Sequence, residues 1–266
     1  MVHVVAALKD IARRVIGPRF LVRRLLKQEL RHGEPELAAL PLLCDPARSF
    51  VDVGANRGVY SYHARHFCDH VYALEAHPAL IAPLGRILGT RGTVLHLAAS
   101  NEEGTARLTI PFKNGRELDT RSSLEADANP GFDLQSIEVE TRRIDGLGLG
   151  PVGVVKIDVE GHEHAVLEGA EETLLRDKPI VIVECEERHH VGGVERTFGF
   201  FDRLGYDGYF LQREVLRSAR DFDAAAMQDI AKASSGSVRT GEYINNFIFI
   251  HPTDTQRLSL LKTRYR

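Results

Sequence analysis

Ser49-Phe50-Val51-Asp52-Val53-Gly54-Ala55-Asn56-Arg57-Gly58 is the stretch that decides the fold. Apart from Asp52, residues Ser49 to Val53 are small, apolar or β-branched, and they read as a short buried strand. Gly54 and Gly58 follow, with Asn56 between them. Glycines at a strand-to-helix turn let the backbone turn tightly and pass close to a ligand. From Tyr60 to Phe67 the pattern suits a helix. Strand, glycine turn and helix form the opening unit of an α/β nucleotide-cofactor fold. Asp52 needs a separate reason, because an unpaired buried charge is costly.

A second strand, Val71-Tyr72-Ala73-Leu74, ends in Glu75. An acidic residue about 20 positions past the first glycine, at the tip of the second strand, commonly bonds ribose hydroxyls. The glycines do not make G-x-G-x-x-G, so the turn lacks the close approach a pyrophosphate needs. An acidic residue just before the first glycine would also repel one. Asp52 instead suits a cationic ligand, such as the amino group or sulfonium of S-adenosylmethionine. Thr93 to Leu97 is a third strand, and Ala98-Ala99-Ser100-Asn101 follows it. Small residues there leave room for a flat adenine ring, with Ser100 and Asn101 in reach of its edge. The expected cofactor contacts are therefore Asp52, Gly54, Asn56, Gly58, Glu75, Ala98 and Ser100.

The chain of 266 residues suits one large domain with extensions. A formal net charge of -3 disfavours a general nucleic-acid binder. Three widely spaced cysteines, Cys44, Cys68 and Cys185, have no C-x-x-C or zinc spacing and read as reduced thiols of the cytosol. No segment has the roughly 18 apolar residues of a membrane span, and no secretory signal is evident.

Residues 1–34 stand apart as a basic extension, with eight Lys and Arg against three Asp and Glu. Val5, Leu8, Ile11, Ala12 and Val15 recur at helical spacing, as do Leu21, Leu25, Leu26 and Leu30, and Gly17-Pro18 divides the two sets. Two amphipathic helices follow from that pattern. They suit a cap on the sheet domain, or on a second subunit of a homo-oligomer. A basic amphipathic helix also suits peripheral contact with an anionic membrane surface. Residues 35–252 form the main domain, and 253–266 a C-terminal tail.

Within the main domain, Gly104 to Phe112 and Ile137 to Arg143 alternate as strands and should pair antiparallel beside the main sheet. The polar segment 113–136 between them, with Thr120-Arg121-Ser122-Ser123-Leu124, is long enough to be a lid. Val152 to Ile157 is a buried strand ending in Asp158, where ligands of open α/β sheets gather. Glu160, Gly161 and Glu163 turn into a helix expected to run on through Leu175. Ile180 to Val183 is the next strand and ends in Glu184. Residues 213–240 read as irregular, with a helix near 224–231. Tyr243 to Ile250 is the last strand.

Taken together, Val51-Asp52-Val53-Gly54-Ala55-Asn56-x-Gly58, Leu74-Glu75-Ala76-His77-Pro78, Ser122-Ser123-Leu124 and Lys156-Ile157-Asp158-Val159-Glu160-Gly161-His162-Glu163 with Leu167-Glu168-Gly169-Ala170 resemble the FkbM-type methyltransferases dependent on S-adenosylmethionine. The resemblance runs from about residue 34 to 250. Arg57 departs from it, because an aliphatic residue is usual there. It implies a Rossmann-like class I methyltransferase sheet of seven strands, mostly parallel with the last strand antiparallel. It also implies, as a rule, methylation of a hydroxyl oxygen, on a natural product or a sugar.

A neutral hydroxyl near pH 7 is a poor nucleophile and needs a base or a metal to help remove its proton. Asp158, Glu184, His162 and His189 are the candidates, with Glu184 or His189 as base and Asp158 orienting substrate or cofactor. Two carboxylates on adjacent strand tips would also suit Mg²⁺, a version carried behind the metal-free one. His162-Glu163-His164 lacks the spacing of a zinc site. A non-catalytic S-adenosylmethionine-binding subunit, an RNA methyltransferase and a nicotinamide oxidoreductase remain as alternatives. The expected acceptor is a hydroxyl on a small molecule or glycan, a sugar hydroxyl by preference.

Overall fold

The computed structural model describes residues 17–113, 116–117, 122–125, 131–232, 238 and 240–266. The first expected amphipathic helix, over Val5 to Val15, lies outside them, as does much of the 113–136 segment. The second is α1 (Pro18–His32), opened by a proline at a position whose N–H has no helical partner. Its Val22 is buried, and Leu26 and Leu30 pack on the core beside it. α2 (Pro35–Leu43) then leads into the sheet.

β1 (Ser49–Val53) is buried at every position, as its apolar run requires. α3 (Val59–Ala64) and β2 (Val71–Glu75) follow, then α4 (Pro78–Leu88) and β3 (Gly92–His96). α1 packs across α3 and α4. Leu26 and Leu30 of its apolar stripe thus pack on the protein's own core, while Arg23, Arg24, Lys27 and Arg31 stay exposed. No helix among the described residues is long and apolar enough to cross a membrane.

The chain next leaves the main sheet. β4 (Ala98–Ala99), β5 (Gly104–Lys113), β6 (Arg116–Glu117) and β7 (Asp133–Arg142) form a second sheet in the order β4-β7-β5-β6. β5 and β7 pair antiparallel, as their alternation predicts. β7 starts at Asp133, so the strand takes back the end of the segment read as a lid.

β8 (Val152–Ile157) returns to the main sheet and is buried throughout. The helix expected to run on to Leu175 is two helices, α5 (Glu163–Glu168) and α6 (Glu171–Asp177). The break falls at Gly169, where a Cβ would lie 2.0 Å from the Ser100 carbonyl oxygen. A neighbouring loop therefore occupies the space a side chain would need.

β9 (Ile180–Glu184), α7 (Gly193–Arg203) and β10 (Asp207–Gln212) follow. β11 (Val215–Ser218), in a stretch read as irregular, adds an edge strand antiparallel to β10. α8 (Ala224–Met227), β12 (Asn246–Ile250) and α9 (Thr255–Arg264) complete the chain. Among the described residues the main sheet has eight strands rather than seven, in the order β11-β10-β12-β9-β8-β1-β2-β3. β1, β2, β3, β8 and β9 are mutually parallel, and β12 inserts antiparallel between β9 and β10. The architecture is an α/β, Rossmann-like one.

Residues 253–266 are not a free tail. α9 buries Leu261 completely against the core formed by Leu37, Leu40 and Leu43, and Tyr265 is buried after it. Leu261→Ala should therefore cost about 2–5 kcal/mol, the range for a truncated core leucine. Urea unfolding would check this, since an exposed tail would give a change near zero.

Candidate functional site

The site lies at the carboxyl ends of β1, β2 and β8, where backbone groups and side chains of three parallel strands converge. Gly54 follows β1 with φ at 76°, and a Cβ there would lie 1.9 Å from the Asp158 carbonyl oxygen. Only glycine lets the two strand tips approach this closely. Within the two signature turns, Asn56 and Glu160 hold left-handed backbone without being glycine, one in each. Such strain persists only where the surroundings enforce it, and it clusters at functional sites.

Two clefts open at these tips. The first spans about 610 Å³, counting the space open to solvent, and is lined by Glu75, Ala98 and the apolar side chains Leu74, Leu97, Leu108 and Leu124. The second, of about 920 Å³, lies between the β1 and β8 tips and the helices α1 and α2. Gly54, Asn56 and Asp158 line both.

Glu75 is clamped by its backbone surroundings. Its Oε2 accepts from the Asn56 N–H at 2.6 Å and its Oε1 from the His77 N–H at 2.7 Å. Burial pushes its carboxyl up, and these two N–H groups pull against that. The Oδ1 of Asn56 is buried at the junction of the clefts, with no hydrogen-bond partner. Such a buried acceptor calls for a partner that the described residues do not supply.

Asp52 has a structural partner that the sequence did not show. Its Oδ2 accepts from the N–H and hydroxyl of Ser61 at 2.9 and 2.5 Å, tying β1 to α3. Burial raises its carboxyl to about 6, against the opposing Ser61 hydroxyl bond and the Lys156 charge. It still lines the second cleft. Gly58 lines neither cleft. It starts α3 in left-handed backbone and leaves room for Leu84 of α4. Ser100 lines neither cleft, and its hydroxyl meets His162 Nε2 at 3.0 Å.

Lys156 is the charge that the motif carried without a role. It is 1% exposed and stands opposite Asp52 in the β1–β8 register. Its Nζ lies 3.9 Å from Asp158 Oδ2 and donates to Asn246 Oδ1 at 3.3 Å. Burial alone would lower its pKa, but Asp158, Glu34, Glu184 and Asp52 around it outweigh that and keep it charged. Burial raises Asp158, and Lys156 opposes it. Asp158 keeps about a third of its side chain, 36%, open to solvent, which moderates that shift.

The other two expected catalytic residues do not line the clefts, though Glu184 lies near Asp158. Glu184 accepts from Asn245 Nδ2 at 2.9 Å, and burial followed by the nearby Asp158 charge raises it well above the usual range. His189 faces Glu160, with 3.4 Å between Nε2 and Oε2. Among the described residues no group of three or more His, Cys, Asp or Glu is arranged to hold a metal ion.

The described part of the 113–136 segment covers the first cleft. Ser123 exchanges backbone hydrogen bonds with Thr109, and its hydroxyl donates to the Glu160 carbonyl at 2.7 Å. Glu125 pairs with His162 Nδ1 at 2.7 Å. Ser122, Ser123 and Leu124 line the cleft.

Asp52 gives a pH test. The unfolded chain releases this proton near pH 4, and the folded chain near about 6. Between those values the folded form binds more protons, so its stability falls as pH rises. Asp52→Asn should remove that fall while keeping an acceptor for Ser61. The stability difference between variant and wild type should move in the variant's favour, on the order of 3 kcal/mol, from pH 4 to 7. Denaturant unfolding at both pH values measures it.

The family description "Methyltransferase FkbM domain" matches residues 52–208. No curated protein matches the sequence. Among solved structures, the chain is similar to the methyltransferase FkbM from Methylobacillus flagellatus KT, at 15% identity and a TM-score of 0.49, over 77% of this chain and 44% of that one. It therefore spans less than half of that protein's length. It is also similar to SMU.1697c, a putative methyltransferase from Streptococcus mutans in complex with SAH, at 7% identity and a TM-score of 0.45, over 81% of this chain and 95% of that one. A third is a SAM-dependent methyltransferase from Aquifex aeolicus, at 11% identity and a TM-score of 0.42, over 86% and 95% of the two chains. Because the FkbM description takes in more than half of its residues, from Asp52 at the first turn through the Asp158 tip to β10, this chain belongs to the FkbM methyltransferase family.

Proposed function

We propose that the enzyme transfers a methyl group from S-adenosylmethionine to a hydroxyl oxygen of a small molecule or glycan, a sugar hydroxyl by preference. The observation that carries this is the meeting of two clefts at Gly54, Asn56 and Asp158. One cleft has the character of a nucleoside site, and the other has room for a second molecule.

The residues fit the donor. Leu74, Leu97, Leu108 and Leu124 make an apolar slot for a flat ring, and Ala98 keeps it open. Glu75, fixed by two backbone N–H groups, presents its carboxylate to ribose hydroxyls. The orphaned Asn56 Oδ1, at the junction of the two clefts, offers an acceptor toward the cationic end. When bound, S-adenosylmethionine supplies a methyl group on a cationic sulfur, open to in-line displacement by oxygen.

Asp158 is the group placed to take the acceptor's proton, since it lines both clefts. That moves the base from Glu184 or His189, which line neither. Its carboxyl is raised by burial, toward the range where a base works near neutral pH. Lys156, fixed beside it, keeps it from being neutralised outright. Asn245, which bonds Glu184, and Asn246, which accepts from Lys156, brace this group from β12 and the residue before it.

Calorimetric titration tests the donor site. S-adenosylmethionine should bind, and Glu75→Ala should weaken it at least about tenfold, the equivalent of roughly 1.4 kcal/mol. No binding by the wild-type enzyme would remove the donor from the proposal. Asp158→Asn should keep donor affinity within a few-fold, yet lower methyl transfer to hydroxylated acceptors about 10²–10⁴-fold. The wild-type rate should climb from acid toward neutral pH as Asp158 ionises. A variant with the wild-type rate would place the base elsewhere.

A further inference from the structure

Glu29 and Glu34 stand at the end of α1 and the start of α2, on the helical wall of the second cleft. Glu34 is extended between Gly33 and Pro35, so the turn fixes where its side chain goes. Its Oε2 accepts from the Tyr60 hydroxyl at 2.6 Å. The carboxylate of Glu29 makes no hydrogen bond or ion pair with the described residues, and burial followed by the Glu34 charge raises its pKa. Two carboxylates thus face one cavity from the same wall.

The opposite wall relieves them only in part, because Lys156 is shared among Asp158, Glu34, Glu184 and Asp52. Among the lining residues, Glu29, Glu34, Asp52 and Asp158 face only Arg57 and Lys156 as cations. Leu25, Leu37 and Val59 add an apolar surface for a carbon skeleton.

We infer that this second cleft is the acceptor chamber, and that Glu29 and Glu34 select a hydroxylated acceptor bearing an ammonium group, such as an amino sugar. The inference rests on the donor occupying the first cleft. An ammonium between the two carboxylates removes their repulsion and gains charge-assisted hydrogen bonds, whereas an anionic acceptor meets repulsion from both. The basic outer face of α1 does not enter this chamber.

The test compares glucosamine, glucose and glucuronate, which share a ring and differ in charge. Each is titrated into the full chain with S-adenosylhomocysteine in excess, and binding is read by saturation-transfer NMR. Glucosamine should bind about tenfold tighter than glucose, and glucuronate weakest of the three. Glu29→Gln with Glu34→Gln should bring glucosamine down to the level of glucose. Glutamine at 34 can still accept from Tyr60, and thermal melting confirms that the variant is folded. Equal binding of the three, no binding of glucosamine, or a preference that survives both substitutions overturns the inference. A separate titration with S-adenosylhomocysteine alone reports on the first cleft. Its failure beside a retained amine preference would sink the donor assignment and leave the chamber standing.

Discussion

The approach of Gly54 to the Asp158 carbonyl is the contact on which the site depends. A Cβ at Gly54 would meet that oxygen at 1.9 Å. The Asp158 N–H also donates to the Val53 carbonyl at 3.1 Å, so the two strand ends remain paired as they leave the sheet. That pairing puts Asn56, Glu75 and Asp158 around one point. It also forces both following turns into left-handed backbone, at Asn56 and at Glu160. Any larger residue at 54 would part β1 from β8 and open the junction of the clefts.

Around this contact the fold buries more charge than it needs for stability. Lys156, Asp52 and Glu75 are each nearly inaccessible. Buried charges are costly unless paired and hydrogen-bonded, and replacing them with apolar residues is often neutral or stabilising. Here the partial matching has a consequence. Lys156 keeps its charge, while Asp52 and Asp158 hold their protons to higher pH than free carboxyls do. Perturbed groups gathered in a cleft are a feature of functional sites.

The two ends of the chain belong to the structure of the site. α1 and α2 cover α3 and α4 on one side and place Glu34 against Tyr60 on the other. α9 closes the same layer by burying Leu261. A methyltransferase sheet without these helices would leave the second cleft with no wall facing Asp158.

The sequence by itself determined what depends on neighbours along the chain. Buried runs such as Val152–Ile157 and Ile180–Glu184 announce their strands, because a strand covered on both faces must be apolar throughout. Gly54 and Glu75 announce a tight strand-to-helix turn and an acidic strand tip, because turn geometry and strand ends are local properties. The tertiary structure decided what depends on distant segments. Position 169 has no room for a side chain because the Ser100 carbonyl is there, and β11 forms because β10 offers an edge, though its own residues are only half-buried. Asp52 is committed to Ser61, Ser100 to His162, and Glu184 to Asn245, none of which spacing reveals. Glu34 looked like the end of a basic extension, and Lys156 like an ordinary residue of a motif. Their charges acquire meaning only when folding brings them into one low-dielectric space, where a carboxylate and an ammonium act on each other far more strongly than in water.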